Sequence, residues 1–265
     1  MIDYGLTEST IIVAGGASGI GRAIVDLAIS QGCKVGLLDA NEALLARVMS
    51  ELSATGAEVA GRCLDVRDEK TISTAVEDIE ATLGPISGLV NSAGISRPGL
   101  AAEIAADIWS DVVDVNLKGS FLLAREVGRR MITRGKGSIV LVSSVDGSGG
   151  HAARTHYSAS KHGVVGLVKS LAIEWGRHGV RVNALCPGIV DTPLVRGNIS
   201  ADHISGVMED RIPMARLSTG DDQAKAALFL LSDAAAYVSG TCLTVDGGLT
   251  AGYFTHLNGE DWGGH

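Results

Sequence analysis

At 265 residues the chain is long enough to bury one large core, and it fits a single α/β domain without division. A content of 46% apolar and 20% charged residues excludes a disordered chain, and a net charge of −8 with scattered lysines and arginines excludes a basic nucleic-acid groove. Cys33, Cys63, Cys186 and Cys242 lie far apart with no C-x-x-C pair, so no metal site and no disulfide framework is expected.

From Thr10 onward, apolar runs of strand length alternate with helix-period segments, the pattern of a doubly wound parallel sheet with helices on both faces. Strands are expected at Thr10–Ala14, Lys34–Asp39, Glu58–Leu64, Gly88–Asn91, Ser138–Ser143, Val180–Cys186 and Cys242–Val245. Leu44, Leu45, Val48, Met49 and Leu52 form one helical stripe, and Val164, Val168, Leu171 and Trp175 another. Residues 188–220 carry Pro193 and Pro213 with patchy periodicity and are expected to form a lid or binding loop. The domain is expected to span residues 1–250. The Gly-rich and aromatic tail 251–265 reads either as disordered or as docked on a neighbouring subunit. No apolar run reaches bilayer length and no basic-then-apolar leader opens the chain, so the expectation is a cytoplasmic protein acting on a small molecule, with no membrane partner.

The first strand runs into Gly15-Gly16-Ala17-Ser18-Gly19-Ile20-Gly21 and then a helix, placing a glycine turn where helix N–H groups and the positive dipole end face outward. The spacing provides one glycine for the turn, one for backbone approach to a pyrophosphate and one for helix–strand packing. Asp39 ends the second strand, 18 residues after Gly21. A carboxylate there can accept both ribose hydroxyls and would repel a 2′-phosphate, which favours NAD over NADP. Asp39 could instead cap the next helix, although Asn41 is the better placed cap. Further along, Tyr157 and Lys161 lie four apart on one helix face. A free tyrosine is a poor base at neutral pH, and a neighbouring ammonium lowers its pKa toward use as a proton acceptor or donor.

These residues sit among further landmarks: Asp65-Val66, NSAG from Asn91, Asn116 in VDVNLKG, Ser144 in VLVSS, YSASK from Tyr157, Pro187-Gly188 with Thr192, and VDGG from Val245. In that order and spacing, from about Thr10 to Gly248, the chain resembles the single-domain short-chain dehydrogenases/reductases. The resemblance implies a catalytic tetrad. Tyr157 is the acid/base, Lys161 lowers its pKa and holds the nicotinamide ribose, Ser144 hydrogen-bonds the substrate oxygen, and Asn116 holds a proton-relaying water. It implies Asp65 and Val66 beside adenine, Asn91 and Gly94 beside the adenosine ribose and adjoining backbone, Val190 and Thr192 at the carboxamide, and Pro187 and Gly188 also at the cofactor. A homotetramer is implied as well. The expected activity is reversible oxidation of a secondary alcohol with NAD. A 3-oxoacyl thioester reductase is the alternative, disfavoured by Asp39, and a non-catalytic NAD-binding protein is disfavoured because the whole tetrad is retained.

Asp146 departs from the pattern: an acid stands two residues after Ser144, where small or apolar residues are usual. It could accept a hydrogen bond from a second substrate hydroxyl, face water, or cap its loop. With His151, Leu194 and Met208 it is expected to line the substrate pocket. The apolar lid residues Leu194, Val195, Ile199, Ile204, Val207, Met208 and Ile212 suggest a cyclic or otherwise hydrophobic alcohol.

Overall fold

In a computed structural model, residues 3–204 and 211–252 are described; Met208 and Val207 of the expected lid and residues 253–265 of the expected tail lie outside them. The seven strands are β1 (Thr10–Ala14), β2 (Lys34–Asp39), β3 (Val59–Cys63), β4 (Ile86–Asn91), β5 (Gly137–Val142), β6 (Val180–Pro187) and β7 (Cys242–Val245). β4 begins earlier than expected because Ile86 is fully buried and pairs with Thr10. All neighbours are parallel, in the order β3-β2-β1-β4-β5-β6-β7. Strand order reverses between β1 and β4, so a crevice opens beyond their carboxyl ends.

Alternate side chains of each strand feed two cores, as the pleat requires. Ile11 and Val13 pack with Ile24 and Val25 of α1 (Gly19–Ser30), Leu45, Val48 and Leu52 of α2 (Glu42–Ala54), and the helix that precedes β7. Ile12 and Ala14 face the opposite layer, made by Ile72, Val76 and Ile79 of α3 (Glu69–Leu83) and by two long helices described below. Asn41 caps α2, its side chain accepting from the Leu44 N–H at 3.0 Å.

α4 (Ala106–Val113) passes through one π-helical turn, Asp114–Lys118, into α5 (Gly119–Arg134). α6 (Thr155–Trp175) buries Val164, Val168 and Leu171 of the expected stripe, with Trp175 partly buried against them. The lid segment holds α7 (Pro193–Asn198) and the single turn α8 (Ala201–His203), and a bridge from Val190 to Ser218 ties its two ends together. Ile204 and Ile212 are buried in a small core of the lid's own with Leu217. They are packing residues, so they say nothing about a hydrophobic substrate. α9 (Gly220–Leu231) begins in a capping box formed by Thr219 and Asp222 and closes the α1 face of the sheet.

Candidate active site

The turn after β1 approaches neighbouring backbone closely. Gly15 has φ +70° and Gly19 has φ +54°, conformations that favour glycine, and a Cβ on Gly15 would meet the Ala93 nitrogen at 2.8 Å. A Cβ on Gly21 would run into the Gly15 carbonyl oxygen, so Gly21 is the packing glycine. Ser18 occupies the N-cap of α1, yet its side chain makes no cap bond and the first turn carries no acid. The leading N–H groups of α1 therefore lack an anionic partner from their own turn, which fits a bound pyrophosphate.

A groove of about 390 Å³ runs across the crevice, lined by Gly15, Ser18, Gly19, Ile20, Asp39, Asp65, Val66, Gly94 and Thr192. Asp39 accepts from the Ala17 N–H at 3.1 Å and from the Asn41 N–H at 2.9 Å, so its carboxylate also braces the glycine turn. Arg67 and Arg97 share the groove wall and both pair with Asp111, while Asp65 also binds Arg67 and is held below the usual carboxylate range by it. That ion network joins residues 44 apart in sequence, and no local pattern announces it.

The groove leads to a cleft of about 110 Å³ where Ser144, Tyr157 and Lys161 meet Pro187, Gly188, Val190 and Thr192. Ser144 lies two residues beyond β5, at the N-cap of the turn Val145–Gly147, with its hydroxyl toward Tyr157. Burial pushes the Tyr157 phenol up to about 12; the charge of Asp146 adds to the rise, and the Ser144 hydrogen bond and Arg154 oppose it. Burial lowers Lys161 to about 8. Its ammonium donates to the Val142 carbonyl at 2.9 Å and lies 5.6 Å from the Tyr157 ring centroid. The expected lowering of Tyr157 by Lys161 is therefore not what dominates here: desolvation does, and the ammonium is engaged by a backbone oxygen.

Asn116 is fully buried within the π turn, a helix irregularity often found at functional sites. Its Nδ2 donates to the Ile95 carbonyl at 3.0 Å and to Ser160 Oγ at 3.1 Å, and its Oδ1 accepts from the Ile95 N–H at 2.9 Å. The amide thus clamps the loop after β4, and only the second lone pair of Oδ1 is left for a water. Through this clamp Gly94 sits against Lys161: a Cβ there would meet Asn116 Oδ1 at 3.2 Å and Lys161 Nζ at 3.6 Å. Asn91 stands at the end of β4, behind the groove. Its side chain points into the fold, Nδ2 donating to Ser120 Oγ at 2.9 Å and Oδ1 accepting from the Ala93 N–H at 3.1 Å. A buried amide spends its capacity on such partners, so Asn91 shapes the groove from behind.

Beyond Tyr157 the cleft opens into a chamber of about 350 Å³. Val145, Ile189, Leu194, Val195, Ile199 and Leu249 supply its apolar wall, and Asp146, His151, Arg154, His203 and Arg211 its polar one. Asp146, His151 and Leu194, expected at a substrate pocket, all line this chamber; His203 and Arg211 come from the lid and Leu249 from the segment after β7, with no motif to mark them. Arg154 donates to Ser96 Oγ at 2.9 Å and lies 6.0 Å from the Tyr157 ring centroid. A larger cavity, about 550 Å³, opens at the amino ends of the strands, away from every expected site residue. Its Arg181 is occupied by the carbonyls of Leu230, Leu231, Ser232 and Val238. Among the described residues no cluster of three or more His, Cys, Asp or Glu side chains could hold a metal, and no helix is long and apolar enough to cross a membrane.

Residues 15–250 match a family model described as enoyl-(acyl carrier protein) reductase. The chain is 39% identical to 2,5-dichloro-2,5-cyclohexadiene-1,4-diol dehydrogenase of Sphingobium indicum over 93% of its own length and 98% of the relative's. It is 37% identical to D-threitol dehydrogenase of Mycolicibacterium smegmatis, over 94% and 95% of the two chains. The crystal structure of a gluconate 5-dehydrogenase from Burkholderia cenocepacia in complex with NADP and tartrate superposes with a TM-score of 0.89 at 32% identity, covering 94% and 97% of the chains. With its seven-stranded parallel sheet and a family match across nearly all of that sheet, the chain belongs to the short-chain dehydrogenase/reductase family, oxidoreductases that bind a nicotinamide cofactor.

Proposed function

We propose that this protein is an NAD-dependent dehydrogenase that interconverts a secondary alcohol and its ketone, with Tyr157 as the acid/base. The observation that carries this reading is the convergence of Ser144, Tyr157 and Lys161 in one cleft between a dinucleotide-shaped groove and a separate chamber. When bound, the nicotinamide supplies the hydride acceptor or donor and, in its oxidised form, a positive charge beside the phenol. Ser144 orients the substrate oxygen toward Tyr157. In ketone reduction Tyr157, held protonated by burial, gives its proton to the carbonyl oxygen. In alcohol oxidation it takes the hydroxyl proton, and Lys161, the Ser144 hydrogen bond and Arg154 favour the phenolate that this requires. Asn116 acts as a positioning residue that fixes Gly94 and Ile95 beside Lys161, and its remaining lone pair holds the relay water.

The groove residues Gly15, Ser18, Gly19, Ile20, Asp65, Val66 and Gly94 hold the adenosine and pyrophosphate portion, and Pro187, Gly188, Val190 and Thr192 the nicotinamide end. Asp39 selects NAD, because its carboxylate lines the groove while Arg67 and Arg97 are already paired with acids. Relatives named as dehydrogenases of a cyclic diol and of threitol support a hydroxylated substrate, and the apolar chamber wall supports a carbon ring. A homotetramer is supported by exposed apolar side chains on both sides of the sheet, Phe121 and Ile173 on α5 and α6, Phe229 on α9. Four free cysteines support a cytoplasmic setting. Tyr157→Phe keeps the ring and removes the proton; turnover should fall by about a thousandfold or more with NADH binding retained, and near-normal turnover refutes the mechanism.

A further inference from the structure

Asp146 is a carboxylate in the chamber that the proton and hydride chemistry does not use. It lies on the short 3-10 turn Val145–Gly147, and its side chain is only 13% exposed. It does not cap that turn: the cap bond runs from the Asp146 N–H to Ser144 Oγ, at 3.1 Å. Its Oδ2 lies 3.3 Å from Nδ1 of His151, whose side chain is 44% exposed, and a pair so open to water contributes little to stability. Among the described residues no hydrogen bond reaches Oδ1. The charge also works against the base, since after burial it is what raises Tyr157 most. The same charge favours the buried Lys161 ammonium, so its electrostatic effects on the pair run both ways; what points to a ligand is the carboxylate itself, set in the chamber wall with Oδ1 turned to no protein donor among the described residues.

We propose that Asp146 accepts a hydrogen bond from a second substrate hydroxyl, so that the chamber takes a diol or polyol in preference to a simple alcohol. The inference rests on the alcohol-dehydrogenase reading above. A carboxylate only accepts, so it rewards a hydroxyl and repels a substrate carboxylate at that spot. Ser144 and Tyr157 hold the reacting hydroxyl, Asp146 a neighbouring one, and Val145, Ile189 and Leu194 the carbon skeleton between. In the redox step the carbinol C–H bond breaks and its hydrogen leaves with the electron pair as hydride to the oxidised nicotinamide. The O–H proton passes to Tyr157 and a C=O bond forms. The second hydroxyl keeps its proton, and the product is a hydroxyketone.

The test uses the full chain, with NAD and separately NADP, reading reduced cofactor by absorbance. The probes are cyclohexane-1,2-diol (cis and trans), cyclohexane-1,4-diol and butane-2,3-diol, each against its single-hydroxyl counterpart, cyclohexanol or butan-2-ol. At least one diol should exceed its counterpart in kcat/KM by about ten- to a hundredfold, the scale of one hydrogen bond to a charged acceptor. Asp146→Ala should remove most of that ratio, and Asp146→Asn, which keeps shape and one amide oxygen, should retain part of it and serves if the alanine variant does not fold. Equal kcat/KM for diols and single alcohols, a diol preference that survives both substitutions, or no oxidation of any diol overturns the proposal. Oxidation of cyclohexanol without diol preference overturns it while leaving the dehydrogenase reading intact. Absence of NADH binding by fluorescence, together with absence of all turnover, refutes that reading too.

Discussion

Replacing Lys161 by methionine should make the cofactor-free protein more stable while abolishing turnover. Lys161 is 5% exposed, and its ammonium donates to the Val142 carbonyl. Burial takes it from 10.5 down to about 8, so between those values the unfolded chain binds a proton that the folded chain does not. Holding the charge in the fold therefore costs most below pH 8, and the cost fades as pH rises toward 10.5. Converted at about 1.4 kcal/mol per pH unit, the cost is about 3 kcal/mol at pH 7 and about 1 kcal/mol at pH 10. Methionine has a similar length and no charge, and it forfeits the bond to Val142, worth about 1 kcal/mol. The net gain is about 2 kcal/mol at pH 7, or about 4–8 °C in Tm for a chain of this size, and about zero at pH 10. Thermal melts of both proteins at pH 7, 8.5 and 10, without cofactor, measure it. A Tm difference independent of pH, or a variant less stable than wild type at pH 7, refutes the reasoning.

Two further outcomes concern the groove. Asp39→Ala should raise the NADP-to-NAD ratio of kcat/KM by about tenfold or more, since the repulsion of a 2′-phosphate goes with the carboxylate; an unchanged ratio would reduce Asp39 to a brace for Ala17 and Asn41. Gly21→Ala should weaken NADH binding by more than about tenfold in a fluorescence titration with far-UV circular dichroism unchanged, because the new methyl collides with the Gly15 carbonyl and the turn must open. Normal NADH affinity in that variant would show that the turn does not hold the dinucleotide.

The sheet is legible in the sequence because its strands are buried on both faces and read as short apolar runs between glycine turns and helical stripes. Only strand ends escape, as at β4, where Ser87 interrupts the run although the Ser87 hydroxyl is satisfied by the Thr10 carbonyl at 3.2 Å. Side-chain direction is harder to read. Asn91 and Gly94 belong to one four-residue motif, yet Gly94 lines the groove and Asn91 faces Ser120 behind it. A motif fixes which residues surround a ligand; the hydrogen-bond capacity of each buried polar group decides which of them turns toward it.

The chamber was least legible for a related reason: its walls come from five separate stretches of chain, and apolar character alone does not tell a wall from a core. Leu194 and Ile212 look equivalent in the lid sequence, but Leu194 is half exposed at the junction of groove, cleft and chamber while Ile212 is sealed under Leu217. What does separate function from packing at this site is an electrostatic misfit. Lys161 is held charged in a buried cleft at a cost to stability, and Asp146 is held beside a phenol whose ionisation it opposes. Selection for stability alone would remove the Lys161 charge, and Asp146, which favours that ammonium while opposing the phenolate, faces the open chamber; both lie where a bound molecule would meet them. On the proposed function, Lys161 would meet the nicotinamide ribose beside the Tyr157 phenol, and Asp146 a hydroxyl that the bare alcohol-dehydrogenase chemistry does not require.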